Sequence, residues 1–280
     1  MKRLLQAELI RRLTSIIYIS ELIFLVIYNV FKIIASNYGF EINISYFLFE
    51  NTALISIFTA VNVSLKLSQE LEYRTINNKL FLGITKKNFF IVESIVGILE
   101  GFILLLTDTI SAIILGYYKG YIMDVAYSDI LINFIILLLT ITTVVMLSTI
   151  LTLLIPTRVI SVIVVFCLSF LLLYGGKDTV SALNQPAQTT LFSVDGKMDK
   201  NPLYVDGGKR VFHNAHLFLS PYAKAKYSPC LLSEDKEMLA ANALFIKSQS
   251  FHLEFIISNV IECILLFILG LHFFKKKNLN

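Results

Sequence analysis

Apolar residues run along this chain in long blocks separated by short polar connections, a pattern that predicts helices rather than strands. The first positions differ from the rest. Leu5, Leu9 and Leu13 recur every four residues, while Lys2, Arg3, Arg11 and Arg12 supply a polar side. Residues 1–15 therefore read as an amphipathic helix lying on a membrane surface. Six apolar blocks follow, at 16–35, 44–65, 88–117, 129–155, 159–174 and 251–274. Most have the roughly 20 residues needed to cross a bilayer core. The fifth is shorter, about 24 Å at 1.5 Å per residue. Pro156-Thr157-Arg158 turns the chain before it, since proline disfavours helix in the residue it follows, and Gly175-Gly176 is expected to end it. The first block carries Glu21 and has no small-residue cleavage site behind it, so it is expected to stay as a span.

The connections carry the rest of the pattern. Residues 66–87 are polar and basic. The loop at 118–128 is short, with Tyr117, Tyr118, Tyr121 and Tyr127 at interface depth. Residues 175–250 are long and polar and hold Pro186, Pro202, Pro221 and Pro229. A small domain is expected there, able to bury Leu203, Tyr204, Val211, Phe212, Leu217, Phe218, Leu219 and Tyr222. One helix is expected over 233–247, capped by Ser233. Lys and Arg crowd one set of short connections: Lys2, Arg3, Arg11, Arg12, Lys66, Arg74, Lys79, Lys86, Lys87, Arg158 and Lys275 to Lys277. The positive-inside rule makes that set cytoplasmic, which puts both termini inside and 175–250 outside.

Composition agrees with a bilayer as solvent. Hydrophobic residues make up 56% of the chain and charged ones 16%, against about 25% charged in soluble domains; mean hydropathy is +0.73. Trp is absent, so the interfacial aromatics must come from 13 Tyr and some of the 22 Phe.

No chemistry of its own is legible. Gly208-Lys209 is followed by Arg210, and Gly196-Lys197 by Met198, so neither forms a nucleotide-binding loop, which needs a hydroxyl residue after the lysine. Cys167, Cys230 and Cys263 stand far apart and suggest neither a disulfide framework nor a metal site. His213 and His216 have helical spacing but no third ligand nearby, so packing histidines are favoured over zinc. No catalytic residue, metal site or bound cofactor is expected in this chain.

Carboxylates inside the spans stand out, because each costs several kcal/mol unless paired, protonated or wet. They are Glu21, Glu93, Glu100, Asp108 and Glu262. Glu93, Gly97, Glu100, Gly101, Asp108 and Ser111 share one broad helix face, and Gly97 with Gly101 forms a GxxxG pair that permits close helix approach. Glu254, Ser258 and Glu262 make a second stripe, and Thr140, Thr142, Thr143, Ser148, Thr149 and Thr152 a hydroxyl-rich third. Two readings stand: a polar lining for translocation or a protomer interface, or helix packing with neutral carboxyls bonded to neighbouring hydroxyls.

The polar stretch after the second block is the most specific segment. It reads Glu70-Leu71-Glu72-Tyr73-Arg74-Thr75-Ile76-Asn77-Asn78-Lys79-Leu80, then Gly83-Ile84-Thr85-Lys86-Lys87-Asn88-Phe89-Phe90. It has helical character, a glycine stop, and Thr85 as a cap for the third span. This order resembles the coupling segment of ABC-2 type transporter permeases. Asn201-Pro202-Leu203-Tyr204 followed by Gly207-Gly208-Lys209-Arg210 resembles a subset of them.

The resemblance implies an all-α membrane protein of six transmembrane helices, with an N-terminal interfacial helix (1–15), spans one to five (16–174) carrying a cytoplasmic coupling helix (66–90), an extracellular domain (175–250), and span six with a basic tail (251–280). It implies a permease subunit of a bacterial exporter, paired with a second copy or a homologous permease and with separate ATPase subunits that bind ATP and Mg. Glu70, Glu72, Tyr73, Arg74, Thr75, Lys79 and Gly83 would then form the ATPase-coupling surface. The cargo would be an amphipathic peptide of bacteriocin or antimicrobial type, or a lipid. The residues also leave open an ion-coupled transporter using Glu100, Asp108 or Glu262, and a membrane scaffold or receptor with a ligand-binding outer region.

Overall fold

A computed structural model describes residues 2–35, 43–123, 125–155, 157–183, 185, 187–189, 199–232 and 252–276. Its described residues are helical apart from turns, loops and a two-residue antiparallel pairing of Gln188–Thr189 with Asp199–Lys200. The helices are α1 (Lys2–Leu13), α2 (Ile16–Ala35), α3 (Thr52–Glu72), α4 (Thr75–Phe81), α5 (Lys86–Tyr118), α6 (Tyr127–Leu154), α7 (Arg158–Leu183), α8 (Gly207–Leu219), α9 (Pro221–Tyr227) and α10 (His252–Lys276).

Five of these, α2, α5, α6, α7 and α10, are long and apolar enough to cross a membrane, so the chain is a multi-pass membrane protein. The sixth long helix, α3, falls outside that group because it is polar: Thr52, Ser56, Thr59, Asn62, Ser64, Ser68 and Glu70 are all buried on it. It packs against α5, α6 and α7 at the centre of the bundle. There its hydroxyls are satisfied internally, Ser56 donating to the Thr52 carbonyl at 2.9 Å and Thr59 to that of Ile55 at 2.8 Å. A helix enclosed by protein rather than lipid needs no apolar outer face.

Two expected boundaries move. The second apolar block was expected to be helical over 44–65. Instead residues 44–46 form a 3₁₀ turn pinned by the Ile44 N–H on the Ile122 carbonyl at 3.0 Å, Phe49 takes a left-handed φ of 62°, and α3 runs from 52 to 72. The fifth was expected to stop at Gly175-Gly176, yet α7 continues to Leu183. A Cβ at Gly176 would lie 2.8 Å from the Ala223 Cα, and one at Gly175 3.3 Å from the His216 ring. The pair makes room for α9 and α8 against α7, and that packing outweighs glycine's weak helix propensity.

The apolar residues expected to form a core of their own over 175–250 are divided. Leu217 and Tyr222 are buried against the bundle, whereas Leu203, Val211, Phe212 and Leu219 are exposed. Leu217, Ala223 and Tyr227 cluster with Ile136 of α6, Val180 of α7 and Phe255 of α10. Tyr222 joins Ile57, Ala60, Val144 and Val165, and its hydroxyl meets Ser169 Oγ at 2.5 Å. Ser169 is about 17 Å along α7 from Arg158 at 1.5 Å per residue, so α9 sits at mid-height in the bundle. The helix expected over 233–247 lies outside the described residues.

Candidate functional site

The polar elbow between α3 and α5 is built as a short helix between two left-handed residues. Arg74 has φ 53° and Gly83 has φ 85°. The Thr75 hydroxyl donates to the Glu70 carbonyl at 3.2 Å, and Thr85 caps α5 by accepting from the Asn88 N–H at 3.2 Å. The helical character, the glycine stop and the Thr85 cap are all where the sequence places them. The outer side of the elbow is bare: Tyr73 is 61% exposed, Phe81 88% and Leu82 83%, with Glu72, Arg74 and Lys87 also exposed. Glu72 touches Arg158 at 3.4 Å.

Two residues of the expected coupling set face the other way. Glu70 is 1% exposed; both its carboxylate oxygens accept from Lys79 Nζ at 2.7 Å, and Arg11 bonds it as well. Lys79 also reaches Glu8 at 2.6 Å. Beside them Arg12 is fully buried, paired to Glu93 and, at 3.0 Å, to Glu100. Burial works against the Arg12 charge, but Glu93 and then Glu100 outweigh it and hold the guanidinium above its ordinary pKa. Glu8, Glu70 and Glu93 bring carboxylate oxygens within 4.8 Å of one another, the crowding a metal would need. Arg11, Arg12 and Lys79 pair with those carboxylates, so the cluster is an ion-pair network. It ties α1 to α3, α4 and α5 in one unit.

The remaining carboxylates are separate. Glu21 accepts from Asn62 at 2.5 Å. Asp108 is fully buried; its Oδ1 accepts from Asn29 at 2.9 Å and Asn51 at 2.7 Å, while Oδ2 has no hydrogen-bond partner among the described residues. Asn51 precedes α3 without a side-chain capping bond to it, and its N–H₂ donates to Asp108 and Asn29. Glu262 receives Lys224 of α9 at 2.8 Å. Gly97 and Gly101 sit against Val63, Val145, Thr59 and Ile141, where a Cβ at 101 would lie 2.4 Å from Ile141. The hydroxyls of α6 mostly turn onto their own helix: Thr140 to Ile136, Thr142 to Leu138, Ser148 to Val144 and Thr149 to Val145, all at 2.7–3.0 Å. The stripes on α5 and α6 are thus packed inside this chain. Glu93, Glu100 and Glu262 are held by cations of the chain itself rather than by hydroxyls.

Reasoning on the sequence missed Glu8, Arg12 and Lys224 as site residues. For the first two a signal exists: Glu8 and Arg12 are spaced i, i+4 and so share a face of α1, the face that is buried, while Leu5, Leu9 and Leu13 beside it are half-buried. For Lys224 there is none, because it lies in the polar stretch 175–250, among other charged residues with no pattern that sets it apart. No family model matches the chain, and neither does any curated protein or solved structure.

Proposed function

We propose that this chain is the membrane subunit of an ATP-driven exporter of the ABC-2 type, moving an amphipathic peptide or lipid-like cargo out through a bacterial cytoplasmic membrane. ATP and Mg belong to a separate ATPase subunit, and a second permease, identical or homologous, completes the assembly. The α1 and α4 end of the bundle, with both chain termini, is cytoplasmic, and α3 acts as the sixth span. One observation carries the proposal: the elbow 72–87 exposes an aromatic and aliphatic face, Tyr73, Phe81 and Leu82, beside Glu72 and Arg74, while behind it Lys79 of α4 is locked to Glu70 of α3. Aromatic anchors ringed by charge are what a docking surface needs. A lever of this kind must be stiff behind and adhesive in front, and the ion pairs to Arg11, Arg12 and Glu8 supply the stiffness.

Purifying the tagged chain from its own native membranes tests the proposal. The ATPase should co-purify with the wild-type chain and be lost with Arg74→Glu. An ATPase retained equally by both, or a cysteine placed at 78 that reacts only with reagent on the outer side of cells, would overturn it.

The ion-coupled alternative keeps one favourable observation, the unpartnered Oδ2 of Asp108. Its other two candidates, Glu100 and Glu262, are engaged by Arg12 and Lys224. Gradient-driven flux in vesicles without any ATPase, abolished by Asp108→Asn, would favour it.

A further inference from the structure

Among the described residues Lys224 is the one lysine that is fully buried. It stands on α9, 1% exposed, and its ammonium has three N–H groups facing three acceptors: Ser258 Oγ at 3.1 Å, Asn259 Oδ1 at 2.9 Å and Glu262 Oε1 at 2.8 Å. A primary ammonium is the one side-chain cation with three donors at a point, and the three acceptors match it one to one.

The receptor half does not depend on α9. Ser258, Asn259 and Glu262 lie at i, i+1 and i+4 on α10, so they share one side of it. The Asn259 amide is aimed from behind: its N–H₂ donates to Thr140 Oγ1 at 3.0 Å and to the Ile136 carbonyl at 3.4 Å, which turns its oxygen toward the ammonium. Thr140 in turn donates to Ile136. The acceptors are therefore set by α6 and α10, while the cation comes from a seven-residue helix that packs on α7 through Gly176 and Ser169 and on α6 and α10 through Ala223 and Tyr227. The Glu262 side chain keeps 14% of its surface exposed, whereas that of Lys224 keeps none. Withdrawing Lys224 would leave a largely enclosed carboxylate without its counter-ion, which favours a replacement cation.

We propose that Ser258, Asn259 and Glu262 form a binding site for a primary ammonium, filled by Lys224 in the arrangement seen here and taken by a lysine-type ammonium of the cargo when α9 moves away. The cargo class is then a cationic peptide bearing lysine or a free amino terminus. The cargo part rests on the export function proposed above; the ammonium site itself does not.

Chemical rescue tests it on the full-length chain in lipid nanodiscs, without any ATPase. Lys224→Ala deletes the equivalent of propylammonium. Propylammonium and Nα-acetyl-lysine amide should each raise the Tm of K224A, by about 5 °C at saturation. Tetramethylammonium, propanol and the Nε-acetylated lysine amide should not. Wild type, with its site filled, should not respond, and K224A combined with Glu262→Gln should lose the response. Equal effects of propylammonium and tetramethylammonium on K224A, or an undiminished response in the double variant, would overturn the site. If K224A does not survive extraction, it is purified throughout in propylammonium or in tetramethylammonium. Survival only in the former supports the site, and equal failure in both overturns it. Rescue by propylammonium without any response to the lysine amide would remove the cargo role while leaving the clasp. Failure of ATPase co-purification, by contrast, would leave all these readings unchanged.

Discussion

Substituting Arg12 by Met tests whether the charge cluster under α1 holds the elbow in place. The guanidinium side chain is 0% exposed, and its partners Glu93 and Glu100 keep 2% and 1% of theirs. Removing one partner of a buried pair costs about 3–5 kcal/mol, because the other is left charged and dry. One cation here serves two carboxylates, so R12M should fall at the upper end, about 5 kcal/mol. Neutralising both acids as well, in R12M with Glu93→Gln and Glu100→Gln, removes the stranded charges. That triple variant should return to within about 2 kcal/mol of wild type, since amides still need partners of their own. Arg11→Met is the control. Arg11 is 46% exposed at the side chain, and Glu70 keeps Lys79 when Arg11 is lost, so about 1 kcal/mol or less is expected. Unfolding in mixed micelles by sodium dodecyl sulfate, followed by far-ultraviolet circular dichroism, reads all of these. An R12M chain within about 1 kcal/mol of wild type, or a triple variant no better than the single, would refute the view that the cluster is a strongly coupled ion-pair unit.

Further expectations follow from the same contacts. Phe81→Asp should leave the unfolding midpoint unchanged, because the side chain is 88% exposed, while abolishing ATPase co-purification; retained pairing would count against the elbow as docking surface. Arg74→Gly should relieve a left-handed residue and raise stability by about 1 kcal/mol, a gain readable in the same titration. Gly176→Val and Gly101→Val push into the Ala223 backbone and Ile141 respectively, and each should destabilise by about 1–3 kcal/mol or more, as overpacking does. Thermal melting of the purified variants checks both. His216 meets the Thr179 hydroxyl at 2.7 Å, with His213 at 3.3 Å from the same oxygen. Burial, and then the His213 charge, pushes the His216 pKa below its ordinary 6.5. The unfolded chain then binds the proton more readily, so stability is full above about 6.5 and falls as pH drops through that value. Melting across pH 5–8 should show this loss, and His216→Gln should flatten it.

The bounds of α2 were legible because 16–35 is a predominantly apolar block, interrupted only singly by residues such as Glu21 and Asn29, with polar residues at both ends. The Thr85 cap and the glycine stop at 83 were legible because both are local backbone chemistry. What failed was decided by contacts remote in sequence. The glycine pair at 175–176 has the propensity of a helix end, but α9, some fifty residues on, packs onto it and the helix runs through. The span at 44–65 was read from hydropathy alone, although Asn51, Thr52 and Ser56 were signs that this helix starts late and faces protein. The acidic face of α5 was plain from its spacing. The cation that fills it sits 81 residues earlier in a helix read as lying on the membrane surface, and no local pattern states that pairing.

Arg12 and Lys224 resolve the acidic stripes in the same way from opposite ends. Each stands on a helix that is not a span, and each drives a cation into a carboxylate site on one that is: α1 into α5, and α9 into α10. A stripe of acids along membrane helices first suggests a lining for a cationic cargo, yet three of its five members, Glu93, Glu100 and Glu262, are held by cations of the chain itself. Only Glu21 and Asp108 lack a cationic partner among the ion pairs of the described residues. The two occupied sites differ in what holds the cation. Arg12 is bound within a network that also contains Arg11, Lys79, Glu8 and Glu70, so it can move only with α1 and α4 together. Lys224 is a single side chain on a seven-residue helix facing acceptors prepared without it. Under the export function proposed above, motion at the elbow travels as a block through α1 into α5, whereas Lys224 leaves its site with α9 alone. An exporter of the proposed kind, pushed at one end and releasing cargo at the other, needs that asymmetry.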